Sequence, residues 1–306
     1  MMVHWAFTGH KVNMLICNHQ LDTAQFDALK ALWQRARVHD AGLPVFYPDL
    51  LTRARALKSN VCWFEHGMLQ GILSACFFYE TACEISLLVD PAHRQQGIAR
   101  RLIAAILPLL RQQGMRTVIF SLAKGHAPWL EALGVRYTHT EYRMMRHESP
   151  LQPEPVTALS FRRALPVDVP LMVGIDAACF NTSGVDMNSR FQHLLREADC
   201  QVLLAVLGES VIGKAHLRLS DGVWVVSDVG ILPAFQGQGY GYALLLHAIN
   251  EAQVQRATDM RLDVETTNQS ALNLYMRLGF SVQDAYDYRS LALDALENLM
   301  NRRKLA

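Results

Sequence analysis

The chain has 306 residues, and because single domains usually contain about 100 to 200 residues, this length favours two domains. Hydrophobic residues make up 51% of the chain and charged residues 19%, which excludes a disordered or fibrous protein. The formal net charge of +1 excludes the broad positive field of a nucleic-acid or membrane-surface protein, so a small or locally docked substrate is expected.

The six cysteines are scattered along the chain and form no Cys-x-x-Cys pair, so we expect reduced thiols and no metal site. The N-terminal residues lack the basic start and apolar stretch of a secretion signal. No apolar run approaches the roughly 18 residues that a membrane span requires. The sequence therefore predicts a cytoplasmic protein, monomeric or homodimeric, without nucleic-acid or membrane partners.

In the first half of the chain, a predicted strand leads through Pro91 into the spacing Arg94-x-x-Gly97-x-Ala99 and then into an amphipathic helix. The first N–H groups of a helix lack partners and the helix dipole adds positive potential, so such a strand-loop-helix junction can bind an anion. A single glycine-rich turn is a weak signal, because tight connections also select glycine.

The second half of the chain repeats this pattern. The segment ISLLVDPAHRQQGIARRLIAAIL begins at Ile85, and SDVGILPAFQGQGYGYALLLHAI begins 142 residues later at Ser227. The helices after both loops carry the same apolar stripe. Matching segments continue at offsets of 145 and 146 residues, up to the final predicted strands around 141–144 and 287–290. The chain therefore contains two copies of one structural unit.

A linker separates the copies, because residues 147–158 contain three prolines and show no periodicity. We place the boundary near residue 155, which gives predicted domains at 1–150 and 156–306. In the second copy, a helical region is predicted at 167–198. The predicted strands there are Ser160–Ala164, Val202–Leu207, Val211–Leu219 and Val223–Ile231. Helices and strands around one sheet per copy indicate a mixed α/β fold.

The second loop has the spacing Gln236-x-x-Gly239-x-Gly241, and a later segment reads Asn268-x-x-Ala-x-x-x-Tyr275-x-x-x-Gly-Phe280. Both loops and this later segment resemble the GNAT superfamily of acyltransferases. The tandem arrangement resembles double-domain GNAT proteins of the mycothiol synthase type. The resemblance covers nearly the whole chain and implies two tandem GNAT folds. The matching motifs belong to the cofactor machinery, which is shared across many acceptors.

The resemblance implies that acetyl-CoA is the co-substrate, with its pyrophosphate on the loop backbone and its pantetheine beside the preceding strand. A backbone N–H near Val229 is then expected to stabilise the oxyanion of a tetrahedral intermediate. The implied cofactor-binding residues of the second copy are Val229, Gly230, Ile231, Gln236, Gly237, Gln238, Gly239, Tyr240, Gly241 and Asn268. Those of the first copy are Val89, Arg94, Gln95, Gln96, Gly97, Ile98 and Ala99.

Direct attack by an amine needs one group that removes a proton and one that protonates the leaving thiolate. Tyr275 is the candidate acid. Asn268 lies seven residues earlier, which is about two helical turns, so both side chains are expected on one helix face. The alternatives are that Tyr275 only packs the helix on the sheet and that Asn268 is a helix cap.

Three carboxylates are candidates for the base. Asp228 lies near the end of the strand before the loop, and Asp263 and Glu265 share one face of the next strand. In similar enzymes, a carboxylate at the Asp228 position often holds the acceptor, and one at the Asp263 position serves as base in relatives that acetylate protein N-termini. Solvated or salt-bridged acids are the alternative. We rank Asp228 and Asp263 above Glu265.

The first copy lacks these groups, since Ser86, Val118, Ala123 and Leu130 occupy the positions of Asp228, Asp263, Asn268 and Tyr275. We therefore expect the first copy to be catalytically degenerate and the second to be active. Arg94, Arg100 and Arg101 could meet nucleotide phosphates, although exposed helix arginines without a ligand are commoner. His216, His247 and Cys179 each lie alone, so satisfied or surface residues are expected there.

Together these patterns predict an N-acetyltransferase that acetylates a primary amine of a small molecule. One alternative acceptor is a protein N-terminus or lysine, suggested by Asp263 together with Tyr275. A different class is a non-catalytic acyl-CoA-binding or sensing protein, suggested by the degenerate first copy.

Overall fold

The structure is a computed structural model that describes residues 13–40, 42–124, 134–147, 150–155, 157–180, 186–220 and 222–302. The chain forms two compact units. The first unit consists of Met1–Thr138 and Tyr286–Ala306, and the second unit of His139–Ala285. Leu130, which occupies the position of Tyr275 in the first copy, lies outside the described residues.

The first unit contains one mixed sheet with helices packed on it. Its strands are β1 (Met14–Asn18), β2 (Asn60–Glu65), β3 (Met68–Cys76), β4 (Ala82–Val89), β5 (Thr117–Ala123) and most of β12 (Ser281–Ala292). Its helices are α1 (Thr23–His39), α2 (Pro48–Thr52), α3 (Ile98–Gln112) and α8 (Leu293–Arg302). The strand order is β1-β2-β3-β4-β5-β12, and within it only β4 and β5 are parallel.

The second unit repeats this arrangement. Its strands are most of β6 (Arg136–His147), β7 (Leu159–Arg163), β8 (Cys200–Leu207), β9 (Ser210–Ser220), β10 (Val223–Ile231) and β11 (Asp259–Glu265). Its helices are α4 (Val169–Cys179), α5 (Met187–Leu194), α6 (Tyr240–Val254) and α7 (Gln269–Arg277). The order is β7-β8-β9-β10-β11-β6, with β10 and β11 parallel. The predicted mixed α/β fold class is confirmed.

Each sheet ends with a strand from the other half of the sequence. β6 closes the first copy along the chain, yet it pairs with β11, and β12 pairs with β5. The compact units therefore divide differently from the contiguous segments 1–150 and 156–306 that the sequence suggests. Strand pairing uses backbone hydrogen bonds, and the two final strands carry the similar runs Glu-Tyr-Arg and Asp-Tyr-Arg, so residue type alone does not distinguish the partners.

The helix after each glycine-rich loop buries its apolar stripe on one face of the sheet. On α6 the predicted stripe is fully buried at Leu244, Leu245, Ala248, Ile249 and Ala252. Each such leucine contributes about 1.5 to 3 kcal/mol relative to an exposed one. The other face of the second sheet is covered by α4 and α5 through a separate apolar cluster, which includes Met172, Phe191 and Val202. Within the described residues, no helix is long and apolar enough to cross a membrane.

Candidate active site

The loop between β10 and α6 has a backbone shape that only glycine adopts easily. Gly237 and Gly239 have φ values of +75° and +83°, in the left-handed region. A Cβ at either position would have no atom within 4 Å, so the backbone conformation and not crowding favours glycine there. The Gln236 side chain donates a hydrogen bond of 2.8 Å to the Ile231 carbonyl and ties the loop to the strand. The loop then leads into the N-terminus of a long helix, where an anion is favoured.

The matching loop of the first unit has the same conformation. Gln95 and Gly97 are left-handed, with φ values of +60° and +78°. The Arg94 side chain donates a 3.2 Å hydrogen bond to the Val89 carbonyl, as Gln236 does to Ile231. The repeat in the sequence therefore corresponds to a repeat in backbone geometry.

The arginines of the first loop have partners within the protein. The Arg94 guanidinium forms an ion pair with Asp40, with a hydrogen bond of 2.8 Å. Arg100 donates to the main-chain carbonyl of Met300. Arg101 lies over the Trp63 ring at 4.8 Å from its centroid. The interpretation of these three residues as phosphate ligands gains no support from this geometry.

β10 is interrupted where the sequence places Asp228. Its pairing with β9 is regular up to Ser227, shifts, and resumes at Gly230. Two residues of β10 therefore stand opposite one residue of β9, which is a β-bulge. Asp228 has a φ of +49°, which is uncommon for a residue other than glycine. β10 also pairs with β11 only at Trp224 and Val225, and the two strands separate beyond that point. The bulge therefore lies at a gap in the sheet.

The Asp228 carboxylate occupies the centre of this bulge. His216 Nδ1 lies 3.1 Å from one carboxylate oxygen, and the Ser227 hydroxyl donates to the same oxygen at 2.9 Å. Arg190 lies 3.8 Å from the other oxygen. Burial raises the pKa of Asp228, but His216, Lys214 and Arg190 together outweigh burial and hold the pKa well below its usual value. Asp228 is therefore ionised at neutral pH.

Two further charged residues lie behind His216. Lys214 is fully buried, and its ammonium lies 3.0 Å from His216 Nε2 and 2.7 Å from Asp176 on α4. Sequence reasoning missed Lys214 and Asp176 and treated His216 as an isolated residue. His216 is indeed hydrogen-bonded and buried, but it belongs to this charged group. Lys214 and His216 lie two residues apart in the mostly apolar strand β9, so they share one face of the sheet. This pair of polar residues is the sequence signal that could have indicated the charged group.

The other two carboxylates are engaged on β11. Asp263 stands directly opposite Arg143 of β6 and forms an ion pair of 2.9 Å with it. Glu265 accepts a hydrogen bond of 2.7 Å from the Thr267 hydroxyl. Both are exposed while Val264 between them is buried, so they share a face as predicted. Of the three predicted carboxylates, Asp228 is the one that lies at the bulge.

Tyr275 and Asn268 lie on α7. The Asn268 side chain caps the helix by accepting a 3.1 Å hydrogen bond from the Ala271 N–H, which supports the cap interpretation. Burial raises the pKa of the Tyr275 phenol, so the phenol stays protonated at neutral pH. A Cβ at Gly241 would lie 3.8 Å from both Ile231 and Leu274 side chains. Leu274, the residue before Tyr275, therefore lies beside the start of α6 and the end of β10.

An open cavity of about 220 Å³ adjoins the second loop. It is lined by Pro155, Thr157, Gln238, Gly239, Tyr240, Tyr242, Ala243 and Arg277. The Arg277 guanidinium lies 5.1 Å from the centroid of the Tyr242 ring. Aromatic, cationic and backbone N–H groups thus surround one space, a combination that suits a nucleotide.

Two other residues considered in the sequence have ordinary surroundings. His247 forms an ion pair of 2.7 Å with Glu154 and stacks on Phe161 at 4.4 Å. Cys179 donates a hydrogen bond to the Ile231 carbonyl, and burial raises the pKa of its thiol, so it is not an activated nucleophile. Among the residues that the structure describes, no cluster of three or more His, Cys, Asp or Glu side chains is arranged to hold a metal ion.

In the first unit, the position of Asp228 has a different environment. Ser86 pairs regularly with Ser74 of β3, without a bulge, and its hydroxyl donates to the Val45 carbonyl. Val45 is buried against Tyr286 and Tyr288 of β12. A segment of the same unit therefore covers this part of β4.

The sequence profile of the acetyltransferase (GNAT) family matches residues 20–128 and 171–280. One match lies in each half of the chain, and each ends before the exchanged strand β6 or β12. Together the matches cover well over half of the chain.

Curated relatives include two mycothiol acetyltransferases. The protein of Renibacterium salmoninarum is 27% identical over 232 residues, covering 67% of this chain and 67% of that protein. The protein of Kineococcus radiotolerans is 30% identical over 213 residues, covering 65% of this chain and 69% of that protein. Both are distant relatives at this identity.

Solved structures show the same fold. A GCN5-related N-acetyltransferase from Sphaerobacter thermophilus superposes with a TM-score of 0.73 at 15% identity, over 92% of this chain and 96% of that chain. A tandem GNAT protein from the clavulanic acid biosynthesis pathway superposes with a TM-score of 0.69 at 15% identity, over 92% and 99%. The predicted tandem pair of GNAT folds is confirmed.

Proposed function

The chain belongs to the acetyltransferase (GNAT) family, and on this premise we propose that its second unit transfers an acetyl group from acetyl-CoA to a primary amine of a small molecule. Members of this family use acetyl-CoA as the acetyl donor. The observation that carries the proposal is the arrangement around β10 in the second unit, where a phosphate-type loop follows a bulge that bears an ionised carboxylate. The first unit has a loop of the same conformation, but its strand β4 has no bulge and carries Ser86 at the position of the carboxylate.

The residues of the second loop fit the donor. The left-handed Gly237 and Gly239 leave open space on the loop, so a pyrophosphate can approach the backbone without meeting a side chain. The cavity that contains Tyr242 and Arg277 extends this surface. Bound acetyl-CoA supplies the thioester whose carbonyl carbon the amine attacks.

The acceptor amine arrives as an ammonium ion at neutral pH and must lose a proton before it attacks. We assign this ammonium to Asp228, because its carboxylate is ionised and partly exposed at the bulge. A carboxylate with so low a pKa is a weak base, so Asp228 binds the ammonium and the proton passes to solvent water at the exposed side of the carboxylate. The bulge also takes the backbone of Asp228 and Val229 out of register with β9, which frees this stretch to hydrogen-bond a ligand carbonyl. Tyr275, which stays protonated, is the proton donor for the leaving thiolate.

The surroundings of Asp263 favour a small acceptor over a protein. The role of base expected for Asp263 in N-terminal acetylation is disfavoured because the Arg143 guanidinium contacts its carboxylate at 2.9 Å, whereas the arginine nearest to Asp228, Arg190, lies 3.8 Å away. Relatives at 27% and 30% identity bear the name mycothiol acetyltransferase, which denotes a small-molecule product. A primary amine of a small molecule is therefore the better candidate.

The test is an acceptor screen with the purified full chain and acetyl-CoA, followed by release of free thiol. The panel contains glucosamine, spermidine, glycinamide, a peptide with a free N-terminus and an N-terminally blocked peptide with one lysine. We expect turnover with a small amine and loss of that turnover in Asp228→Asn.

Turnover with peptides alone would replace the small amine by a protein acceptor. Tight CoA binding without turnover on any amine would overturn the proposal in favour of an acyl-CoA sensor.

A further inference from the structure

Four ionisable side chains form a row beneath the bulge of β10. Asp176 and Lys214 are 2.7 Å apart, Lys214 and His216 are 3.0 Å apart, and His216 and Asp228 are 3.1 Å apart. The first three side chains are between 0% and 3% exposed, whereas the Asp228 side chain is 27% exposed. Only the last member of the row can meet a ligand.

The donors and acceptors along this row assign the proton on His216. An ammonium group only donates hydrogen bonds, so the His216 Nε2 that faces Lys214 must accept one. The proton of the neutral imidazole is then on Nδ1, which donates to the Asp228 carboxylate. Burial lowers the pKa of His216, and the neighbouring Asp228 carboxylate offsets this only in part. The imidazole is therefore neutral and held in one tautomer.

Lys214 is held by groups from three other elements. Its ammonium pairs with Asp176 of α4, lies 5.2 Å from the centroid of the Phe191 ring on α5, and lies 3.4 Å from the main-chain carbonyl of Asp228. The lysine thus contacts both the histidine and the backbone of the bulge. Its position links the conformation of the bulge to the tautomer of His216.

Burying these groups is costly for the fold. Taking charges out of water is unfavourable, and apolar replacements of buried ion pairs are often neutral or stabilising. On the same two strands of the first unit, the matching residues are uncharged, with Ile72, Ser74 and Ser86 at the positions of Lys214, His216 and Asp228. A sheet of this architecture therefore forms without the charged row.

We propose that His216 is a positioning residue for acetyl transfer, which orients the Asp228 carboxylate toward a cationic acceptor through its Nδ1–H, with Lys214 and Asp176 selecting that tautomer. This inference rests on the proposed function, because His216 acts only through Asp228, the residue proposed to bind the acceptor ammonium. His216 keeps its proton throughout and does not touch the substrate. Its effect is to hold one carboxylate oxygen, while the other, which lies 3.8 Å from Arg190 and outside hydrogen-bond distance of it, is the oxygen we assign to the ammonium.

Several charged and titratable groups face the Asp228 carboxylate or the row behind it. They are Asp176 and Cys179 on α4, Arg190 on α5, Cys200 on β8, Lys214 and His216 on β9. Burial raises the pKa of both thiols, so these stay neutral and uncharged near pH 7. Removal of the His216 donor therefore leaves Lys214 and Arg190 as the cations near Asp228.

The test compares His216→Leu with His216→Asn in the full chain, using the best amine of the panel above. His216→Leu removes the donor, so we expect kcat/KM for the amine to fall roughly 10- to 100-fold, the worth of one hydrogen bond to a charged group. The acidic limb of the pH profile should move to higher pH, because a carboxylate that loses a donor has a higher pKa. In His216→Asn the side-chain amide can replace Nδ1–H, and most of the rate should return.

Ser74→Ala is the matched control, because Ser74 is buried on β3 at the position of His216. This variant should alter the melting temperature alone and leave the pH profile unchanged. The Kd for CoA should be the same in all three variants. Equal losses in His216→Leu and His216→Asn without movement of the acidic limb would reduce His216 to a packing residue.

Two measurements separate this inference from the proposed function. In an Asp228→Asn background, His216→Leu should cause no further loss, because His216 acts through Asp228. If Asp228→Asn is inactive while His216→Leu matches the parent at every pH, the inference fails and the proposed function stands. If Asp228→Asn is fully active, the role given to Asp228 in the proposed function fails.

The second measurement needs no acceptor. The free chain has twelve histidines, and its ¹⁵N spectrum contains the ring signals of these residues. The signals that are missing in the His216→Asn variant identify His216. We expect the neutral form with the proton on Nδ1 at pH 7. A proton on Nε2, or on both nitrogens, would overturn the inference whatever the acceptor.

Discussion

The two glycine-rich loops have the same conformation, whereas the strands that lead into them differ. Both loops have left-handed residues at matched positions, and in both the first motif residue bonds to the carbonyl at the end of the strand. β4 then runs in regular register with β3, while β10 contains a bulge at Asp228. A retained loop therefore marks the common fold, and the bulge with its carboxylate marks the unit for which we propose acetyl transfer.

The buried charged row at the bulge separates the two units in the same way. The loop conformation is part of the backbone structure of each unit, so it persists whether or not a ligand binds. Buried ionisable groups lower stability unless they are paired, and only the second unit has the Asp176, Lys214, His216 and Asp228 row. The charged row therefore distinguishes the unit proposed to be active, whereas the loop is common to both units.

The largest expected effect comes from a charge on the second loop. In Gly239→Asp we expect CoA binding and turnover to fall below detection, because a carboxylate would stand where the phosphates bind. The site has room for a side chain, since no atom lies within 4 Å of a Cβ there. Calorimetry with CoA and the thiol-release assay are the measurements.

Gly239→Asn is the control, because asparagine has the same size as aspartate and tolerates the left-handed φ of +83°. It should bind CoA more tightly than the aspartate variant. Gly97→Asp changes the matched position of the first loop and should leave measurable turnover. A folded and inactive Gly97→Asp beside an active Gly239→Asp would reverse the roles of the two units.

The second expected effect is on the leaving group. Tyr275→Phe should lower the transfer rate by about 10² to 10⁴, the usual contribution of general acid catalysis. The affinity for acetyl-CoA should change little, because the ring keeps its edge-to-face packing on Phe280, with 6.2 Å between the ring centroids. Single-turnover kinetics measure the chemical step directly.

The melting temperature of Tyr275→Phe tests the packing alternative. Full single-turnover activity in a folded variant would leave Tyr275 as a packing residue of α7. The comparison of the two units would then rest on the bulge and the charged row, and no longer on a catalytic acid.

Much of this comparison could be predicted from the sequence, because the features involved are local. Glycine spacing and the apolar stripe of the following helix predict the loop, and Asn268 at the start of α7 predicts a cap. The charged row could not be found in this way, because Asp176 and Lys214 are far apart in the sequence and meet only through tertiary packing.

The bulge and the strand exchange also escaped the sequence analysis. Asp228 adopts its left-handed φ without being glycine, so no residue type marks the bulge. β6 and β12 carry similar residues, and their partners are selected by tertiary structure through backbone hydrogen bonds. Local patterns predict the elements, but they do not specify which copy a final strand joins.

The third prediction separates the two leading carboxylates. Asp228→Asn should lower kcat/KM for the amine by about 10² or more, because it removes the ionised group that meets the ammonium. Asp263→Asn should change it by less than about threefold, since Asp263 is paired with Arg143 at 2.9 Å. Steady-state kinetics on the same amine compare them, and a larger loss in Asp263→Asn would assign the acceptor ammonium to Asp263 instead of Asp228.

The smallest expected effect lies in the first unit. Arg94→Gln gives the first loop the residue of the second, and glutamine can keep the hydrogen bond to the Val89 carbonyl that Gln236 makes to Ile231. The variant loses only the partly exposed ion pair with Asp40. Such pairs contribute about 0.2 to 1 kcal/mol, so the free energy of unfolding should fall by that amount in a denaturant titration. Turnover should stay the same, because the second unit is untouched. A clear loss of turnover with unchanged stability would show that the first loop takes part in the reaction, and the division between the two units would then fail.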